Sequence, residues 1–148
     1  MVTAKNKDFD WSYLDKAATT ENFLNKGTFG PIQCGNEQYA LKRIMFRQGD
    51  LREKVKAAIN DKKDIWMSLN HKNLIRIHDV SLQLKALLIV MDYAAGGSLY
   101  TTLSTLSSKD KCLPLEVVSN WAQQIVEGMS YLHKRNIVHR DLKSANSE

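Results

Sequence analysis

The spacing of apolar positions changes several times along the chain, and each change marks a new element. From Phe23, the stretch FLNKGTFGPIQCGNEQYALKRI sets short apolar runs around a glycine-bearing turn and a second turn at Gly35 and Asn36. This predicts strand, turn, strand, turn, strand. In GDLREKVKAAINDKKDIWMSLNHKN, residues Leu51, Val55, Ile59, Ile65, Trp66 and Leu69 fall near one face at helical spacing. Asp50 is placed to cap that helix, with Glu53 three residues on. After Asn73, LIRIHDV alternates as a half-buried strand, whereas ALLIVMDY is a continuous apolar run suited to burial on both faces. AAGGS breaks the pattern. A short helix, SLYTTLSTL, follows, then a long one opening near Pro114 with Val118, Ala122, Ile125, Met129 and Leu132 on its stripe. The order predicts a small α+β lobe over residues 20–91, a hinge at 92–97 and a helical lobe over 98–148. Residues 1–19 are mixed and polar, an arm poorly tied down except where Trp11 and Tyr13 dock.

Composition narrows the class without choosing a function. At 148 residues, 43% hydrophobic and 25% charged, the chain has material for one sizeable core or two small ones and no apolar run able to span a bilayer. The net charge of +5 comes from 21 basic and 16 acidic residues spread along the chain without a block, a pattern of solvated surface. No interleaved aromatic and basic pattern points to nucleic acid. Cys34 and Cys112 stand far apart in no metal-ligand spacing, which disfavours a disulfide scaffold and a structural zinc. The N-terminus lacks the apolar stretch of a secretory signal, so the reducing cytosol or nucleus is the default compartment, with the cytoplasm as the expectation.

Four features bear on chemistry. Gly27-Thr28-Phe29-Gly30 alone reads as an ordinary turn, and Lys42 alone as a solvent-facing edge lysine. Read with the glycine break and the dense string HRDLKSAN near the end, they make up the parts that phosphoryl transfer requires: exposed amides, a strand cation, a hinge and an Asp/Lys/Asn cluster.

With those residues the sequence resembles a protein kinase domain over roughly residues 20 to 148. HRDLKSAN matches the family's catalytic loop, GTFGPI the back half of its glycine-rich loop, YALK its strand lysine and LIVMDYAAGGSL its hinge. SLNHKNLIRIHDV resembles the segment after the regulatory helix, and GMSYLHKRNIVHRD the end of the long C-lobe helix. The texture is most similar to tyrosine-kinase-like serine/threonine kinases of the mixed-lineage and TGF-β-activated type, which act on MAP kinase kinases. The resemblance implies an α+β, bilobal fold with a small antiparallel-sheet N-lobe carrying one helix. It also implies ATP and Mg2+ as cofactors, a protein substrate such as a MAP kinase kinase, and neither nucleic acid nor membrane as partner.

The same resemblance assigns roles. Leu24 and Ile32 would sandwich adenine, and the loop Asn25, Lys26, Gly27, Thr28, Phe29 and Gly30 would cover the phosphates. Ala40 would lie beside the base, and Lys42 would pair with the α- and β-phosphates. Met91 falls at the gatekeeper position, the backbones of Asp92 and Ala94 would bond the base, and Ser98 would meet the ribose. Asp141 would accept the substrate proton, Lys143 steady the γ-phosphate and Asn146 hold magnesium. His139 reads as a prop of the loop, Arg140 as a clamp for a phosphorylated segment, and His71, His78 and His133 as packing or surface residues. Lys42 and the pair Asp141 and Asn146 are expected to converge on one nucleotide-sized cleft.

Four departures qualify that assignment. Asn25 replaces the first loop glycine, and Pro31 removes a strand N–H in a shortened first hairpin. Family spacing places Lys62, lying between Ile59 and Trp66, where a glutamate should pair with Lys42; Asp61 would substitute if the helix is rotated. The sequence stops after Glu148 without a DFG aspartate, so a fragment, a truncated gene model and a true short product all stay open. The expectation is an incomplete domain with little activity of its own, or a pseudokinase-like binding module, in either case exposing C-lobe surface open to association.

Overall fold

The structure is a computed structural model that describes residues 9–18, 23–25, 28–46, 53–83, 86–109 and 111–148. The expected cap Asp50 and the helical position Leu51 lie outside them, as do Lys26 and Gly27. In chain order the elements are α1 (Trp11–Ala17), β1 (Phe23–Asn25), β2 (Thr28–Cys34), β3 (Glu37–Met45) and α2 (Glu53–Ser68). Then come β4 (Ile77–Leu82), β5 (Ala86–Asp92), α3 (Leu99–Ser108), α4 (Leu115–His133) and a 3-10 turn at Ser144–Asn146. Two compact units result: Met1–Leu69 with Arg76–Tyr93, and Asn70–Ile75 with Ala94–Glu148.

In the first unit an antiparallel five-stranded sheet runs in the order β1-β2-β3-β5-β4. β5 lies between β3 and β4, which is why its run from Ala86 to Val90 is apolar without alternation: both faces are covered. The β2–β3 hairpin closes through Gly35 and Asn36, with Gly35 at φ +63°, a conformation glycine adopts without steric cost. On one face Phe29, Ile32, Tyr39, Leu41, Leu88 and Val90 form a core with Phe9 and Leu14. Within the stretch expected to be a loose arm, Trp11–Ala17 is thus a helix capped by Asp10, whose carboxylate accepts from the Tyr13 N–H at 3.0 Å. Leu14 is 1% exposed, and Phe9 meets the Tyr39 ring edge-on at 5.3 Å. Trp11 packs against this core while Tyr13 stays half-exposed. An uncovered apolar sheet face supplies the force: each fully buried leucine is worth about 1.5–3 kcal/mol.

The opposite face carries Val80, Leu87 and Ile89, with Ile59 and Trp66 of α2 packed against them. Ile65, expected on the inward stripe, is instead 47% exposed. The inward positions follow 59, 63 and 66, the i, i+4, i+7 spacing of a helix.

In the second unit the inward stripe of α4 passes through Val117, Trp121, Ile125, Gly128 and Leu132. Val118 and Ala122 fall on its exposed flank, and Leu115 and Val126 are also open to solvent. Pro114 occupies the N-cap position. Segment Asn70–Ile75, expected within the small lobe with a strand opening at Leu74, packs on α4 instead. The Asn70 N–H donates to the Tyr131 hydroxyl at 3.1 Å, and the Asn73 amide and Lys72 ammonium both donate to Glu127, each at 3.0 Å. A Cβ on Gly128 would come within 3.0 Å of the Asn73 carbonyl oxygen, so glycine is what permits this approach. β4 therefore begins at Ile77, after the anchored segment.

Candidate functional site

The expected residues divide between the two units, and each group is positioned by different means. In the sheet, Thr28 stands opposite Lys42 and Ala40 opposite Met91. Directly paired residues of antiparallel strands project to the same face, so Thr28, Ala40, Lys42 and Met91 share one face with Ile89, the partner of Lys42 on β5. Phe29 pairs with Leu41 and Ile32 with Tyr39, placing both on the other face beneath α1. Ile32 therefore does not stand beside Lys42 to enclose a base. The register shift between Phe29 and Ile32 is responsible, and it falls where Pro31 offers no N–H to the ladder. Phe29 is buried under the Arg43 guanidinium, 5.0 Å from its ring centre, rather than lying over a phosphate. Leu24 and Asn25 lie on β1, where Asn25 pairs with Thr28.

Lys42 is half-buried and forms no ion pair among the described residues. Lys62 and Asp61 are both exposed, so neither takes the position facing Lys42 that spacing assigned to Lys62. The inward cation of α2 is Lys63, whose ammonium meets Asp79 of β4 at 3.1 Å. Counting i+4 from Ile59, rather than relying on family spacing, identifies it.

At the end of β5, Asp92 donates its N–H to the Arg76 carbonyl at 3.0 Å, and the Ala94 carbonyl accepts from the Gly97 N–H at 3.1 Å. Ser98, expected at a ribose, is buried as the N-cap of α3, where its hydroxyl accepts from the Thr101 N–H at 3.3 Å.

The second group is built within one short segment. Asn136, at φ +58°, turns the chain after α4 so that the Ile137 N–H reaches the Leu132 carbonyl at 3.0 Å. Arg140 is left-handed at φ +65°, a conformation that costs a non-glycine residue energy and that recurs at functional segments. Next to it the Lys143 ammonium donates to both oxygens of Asp141, at 2.7 and 2.8 Å, and the Asn146 amide donates to the Asp141 carboxylate and carbonyl, each at 2.8 Å. His139 accepts from the Asp141 N–H through Nδ1 at 3.3 Å. The Ser147 carbonyl accepts from the Leu99 N–H at 2.7 Å, tying the segment to the start of α3. Asp141, Lys143 and Asn146 are therefore in direct contact, and the carboxylate is held at one orientation while more than half exposed.

As a magnesium site this group is incomplete. With its amide nitrogen committed to Asp141, Asn146 has one side-chain oxygen left for a cation. No cluster of three His, Cys, Asp or Glu able to hold a metal occurs among the described residues. The residues present do not by themselves form a metal centre, and no chemical step is assigned through one. His71 lies against Tyr131 at 4.9 Å between ring centres, and His133 is exposed. Among the described residues no helix is long and apolar enough to cross a membrane.

The family model described as "Protein kinase domain" matches residues 20–147. The chain is 31% identical over 130 residues to mitogen-activated protein kinase kinase kinase 3 of Arabidopsis thaliana, covering 84% of this chain and 21% of that protein. It is 33% identical over 145 residues to mitogen-activated protein kinase kinase kinase 10 of Xenopus laevis, covering 94% of this chain and 13% of that one. The chain thus spans about a fifth or less of these two relatives. Among solved structures, Rad53 1-466 in complex with AMP-PNP shares the fold with a TM-score of 0.60 over 74% of this chain and 27% of that one, at 21% identity. With a family model matching nearly its whole length and a catalytic-loop string folded as one contacting cluster, the chain belongs to the protein kinase family.

Proposed function

We propose that this chain carries the nucleotide-binding and catalytic-loop portion of a serine/threonine protein kinase of the MAP kinase kinase kinase type, acting in cytoplasmic signalling. The observation that carries the reading is the Asp141 carboxylate held by Lys143 and Asn146 at 2.7–2.8 Å. In the proposed step, the hydroxyl oxygen of a substrate serine or threonine bonds to the γ-phosphorus of ATP. The bond to the β–γ bridging oxygen breaks and ADP departs. The hydroxyl proton passes to Asp141, and Lys143 offsets negative charge on the transferring group. Lys42, Thr28, Ala40 and Met91 serve the nucleotide on their shared face of the sheet, with Asp92 and Ala94 offering backbone to the base. A MAP kinase kinase is the proposed protein substrate, and Asn146 would offer one side-chain oxygen to a Mg2+ ion, which would neutralise phosphate charge.

The test is binding of Mg·ATP and labelling of a generic protein substrate by this chain and by a version extended through any downstream coding sequence, each beside Lys42→Met and Asp141→Asn. The reading expects ATP binding that Lys42→Met weakens, and transfer in the extended form that Asp141→Asn lowers by a factor of about a thousand or more. No transfer by either wild-type form would sink it. One observation favours a second reading, a binding module without catalysis: Lys42 has no carboxylate partner among the described residues, because Asp61 and Lys62 both face solvent. Normal partner binding by a transfer-deficient extended chain would favour that alternative.

A further inference from the structure

We propose that His78 is a positioning residue for the hinge, fixing through Asp92 the end of β5 that offers its backbone to the base. This rests on the nucleotide reading above. His78 sits in the irregular step of β4 between Ile77 and Asp79, where the register with β5 shifts. Its Nε2 lies 2.6 Å from Asp92 Oδ1, and its side chain is 22% exposed. A carboxylate only accepts, so Nε2 carries the hydrogen and donates.

The ring is fixed from its other side. It stands edge-on to Tyr39 with centres 5.0 Å apart, and Tyr39 is 3% exposed with its hydroxyl bonded to Glu37. Tyr39 is also the residue of β3 directly opposite Asp92. The second carboxylate oxygen of Asp92 lies 3.4 Å from the Arg76 N–H, a longer and weaker contact than the one to His78.

Asp92 is the last residue of β5, and its side chain is 53% exposed. Strand ends open more readily than strand centres, and a side-chain bond to the neighbouring strand opposes that opening. Glu37, Tyr39, His78 and Asp92 thus form a chain of contacts across three strands at the end of the sheet from which the hinge leaves, two hydrogen bonds joined by an edge-on ring contact. Tyr39 and Asp92 are cross-strand partners on the face opposite Lys42, so the chain would act on adenine only by holding backbone in place.

The experiment compares affinity for Mg·ATP with affinity for Mg·tripolyphosphate, which has no base, in wild type, His78→Ala, His78→Gln and Asp92→Ala. His78→Ala should weaken ATP about three- to tenfold, less than the full contribution of a charge-assisted hydrogen bond because the loss reaches the base only through the hinge backbone, and leave tripolyphosphate unchanged. Amide exchange at Asp92 should quicken in the same variant. His78→Gln, which keeps a donor near the Nε2 position, should recover most of the loss. Asp92→Ala should match His78→Ala, with no further loss in the double variant. Unchanged ATP affinity in His78→Ala, or an equal loss for both ligands, would overturn the inference alone. A wild-type chain that binds no ATP would overturn the nucleotide reading, and this inference with it.

Discussion

The sheet and the Asp141 segment place their functional side chains by opposite strategies. Lys42 shares a face with Thr28, Ala40 and Met91 only because three strands, drawn from residues 28 to 92, hold one register. Asp141, Lys143 and Asn146 meet within six residues, through bonds the segment makes to itself. A register error of one residue flips a side chain to the far face, as Ile32 illustrates, whereas a local cluster has no register to lose. The sheet's chemistry should therefore depend on its core, and the loop's chemistry on its own side chains.

That contrast can be broken most forcefully at Leu41, 1% exposed on the opposite face of the strand that carries Lys42. Leu41→Ala should cost about 2–5 kcal/mol in urea unfolding and abolish ATP binding with it. Retention of full nucleotide affinity would show that register matters less than proposed. Next in size, Gly128→Val should cost about 1–3 kcal/mol by driving a side chain into the Asn73 carbonyl. Gly96→Val, where nothing lies within 4 Å, should stay within about 0.5 kcal/mol.

Acid provides a subtler probe. The Lys72 ammonium, followed by the Gln123 amide, holds the Glu127 carboxyl below its ordinary range. A lowered folded value means that this stabilisation is present above the ordinary carboxylate range and is lost as pH falls through the lowered one. Wild type should lose stability across that acidic window, with a shallower loss in Glu127→Gln, followed by thermal melts from pH 7 to pH 3. Identical slopes would remove Glu127 from the account. The smallest stability effect is expected at Lys143→Met, about 0–1 kcal/mol for an exposed pair, while transfer by the extended chain should fall by a far larger factor. Large destabilisation by this variant would erase the distinction between loop and sheet.

How much of this was legible follows the same division. HRDLKSAN could be read from the string because its contacts are local, and the apolar run of β5 because burial on both faces leaves a pattern in one strand. Ile32 was misplaced because the shift at Pro31 depends on pairing, which single-strand spacing does not record. The covering of the sheet by Phe9 and Leu14 was missed because a seven-residue helix leaves too short a period to detect. Lys63 was within reach: the i, i+4, i+7 rule from Ile59 points to it, whereas family spacing and a place between Ile59 and Trp66 both favoured Lys62. Ser98 reads equally as a ribose contact or a helix cap until its hydroxyl's partner is known.

The anchoring of Asn70–Ile75 on α4 bears on how this molecule can be dissected. Because that hexapeptide belongs with the helices yet lies between α2 and β4 in the chain, neither unit is a single uninterrupted stretch of polypeptide. A peptide cut at Ala94 would leave Glu127, Gly128 and Tyr131 facing water where Asn73, Lys72 and Asn70 belong. Attempts to express the helical part alone should retain 70–75, spliced on or supplied in trans.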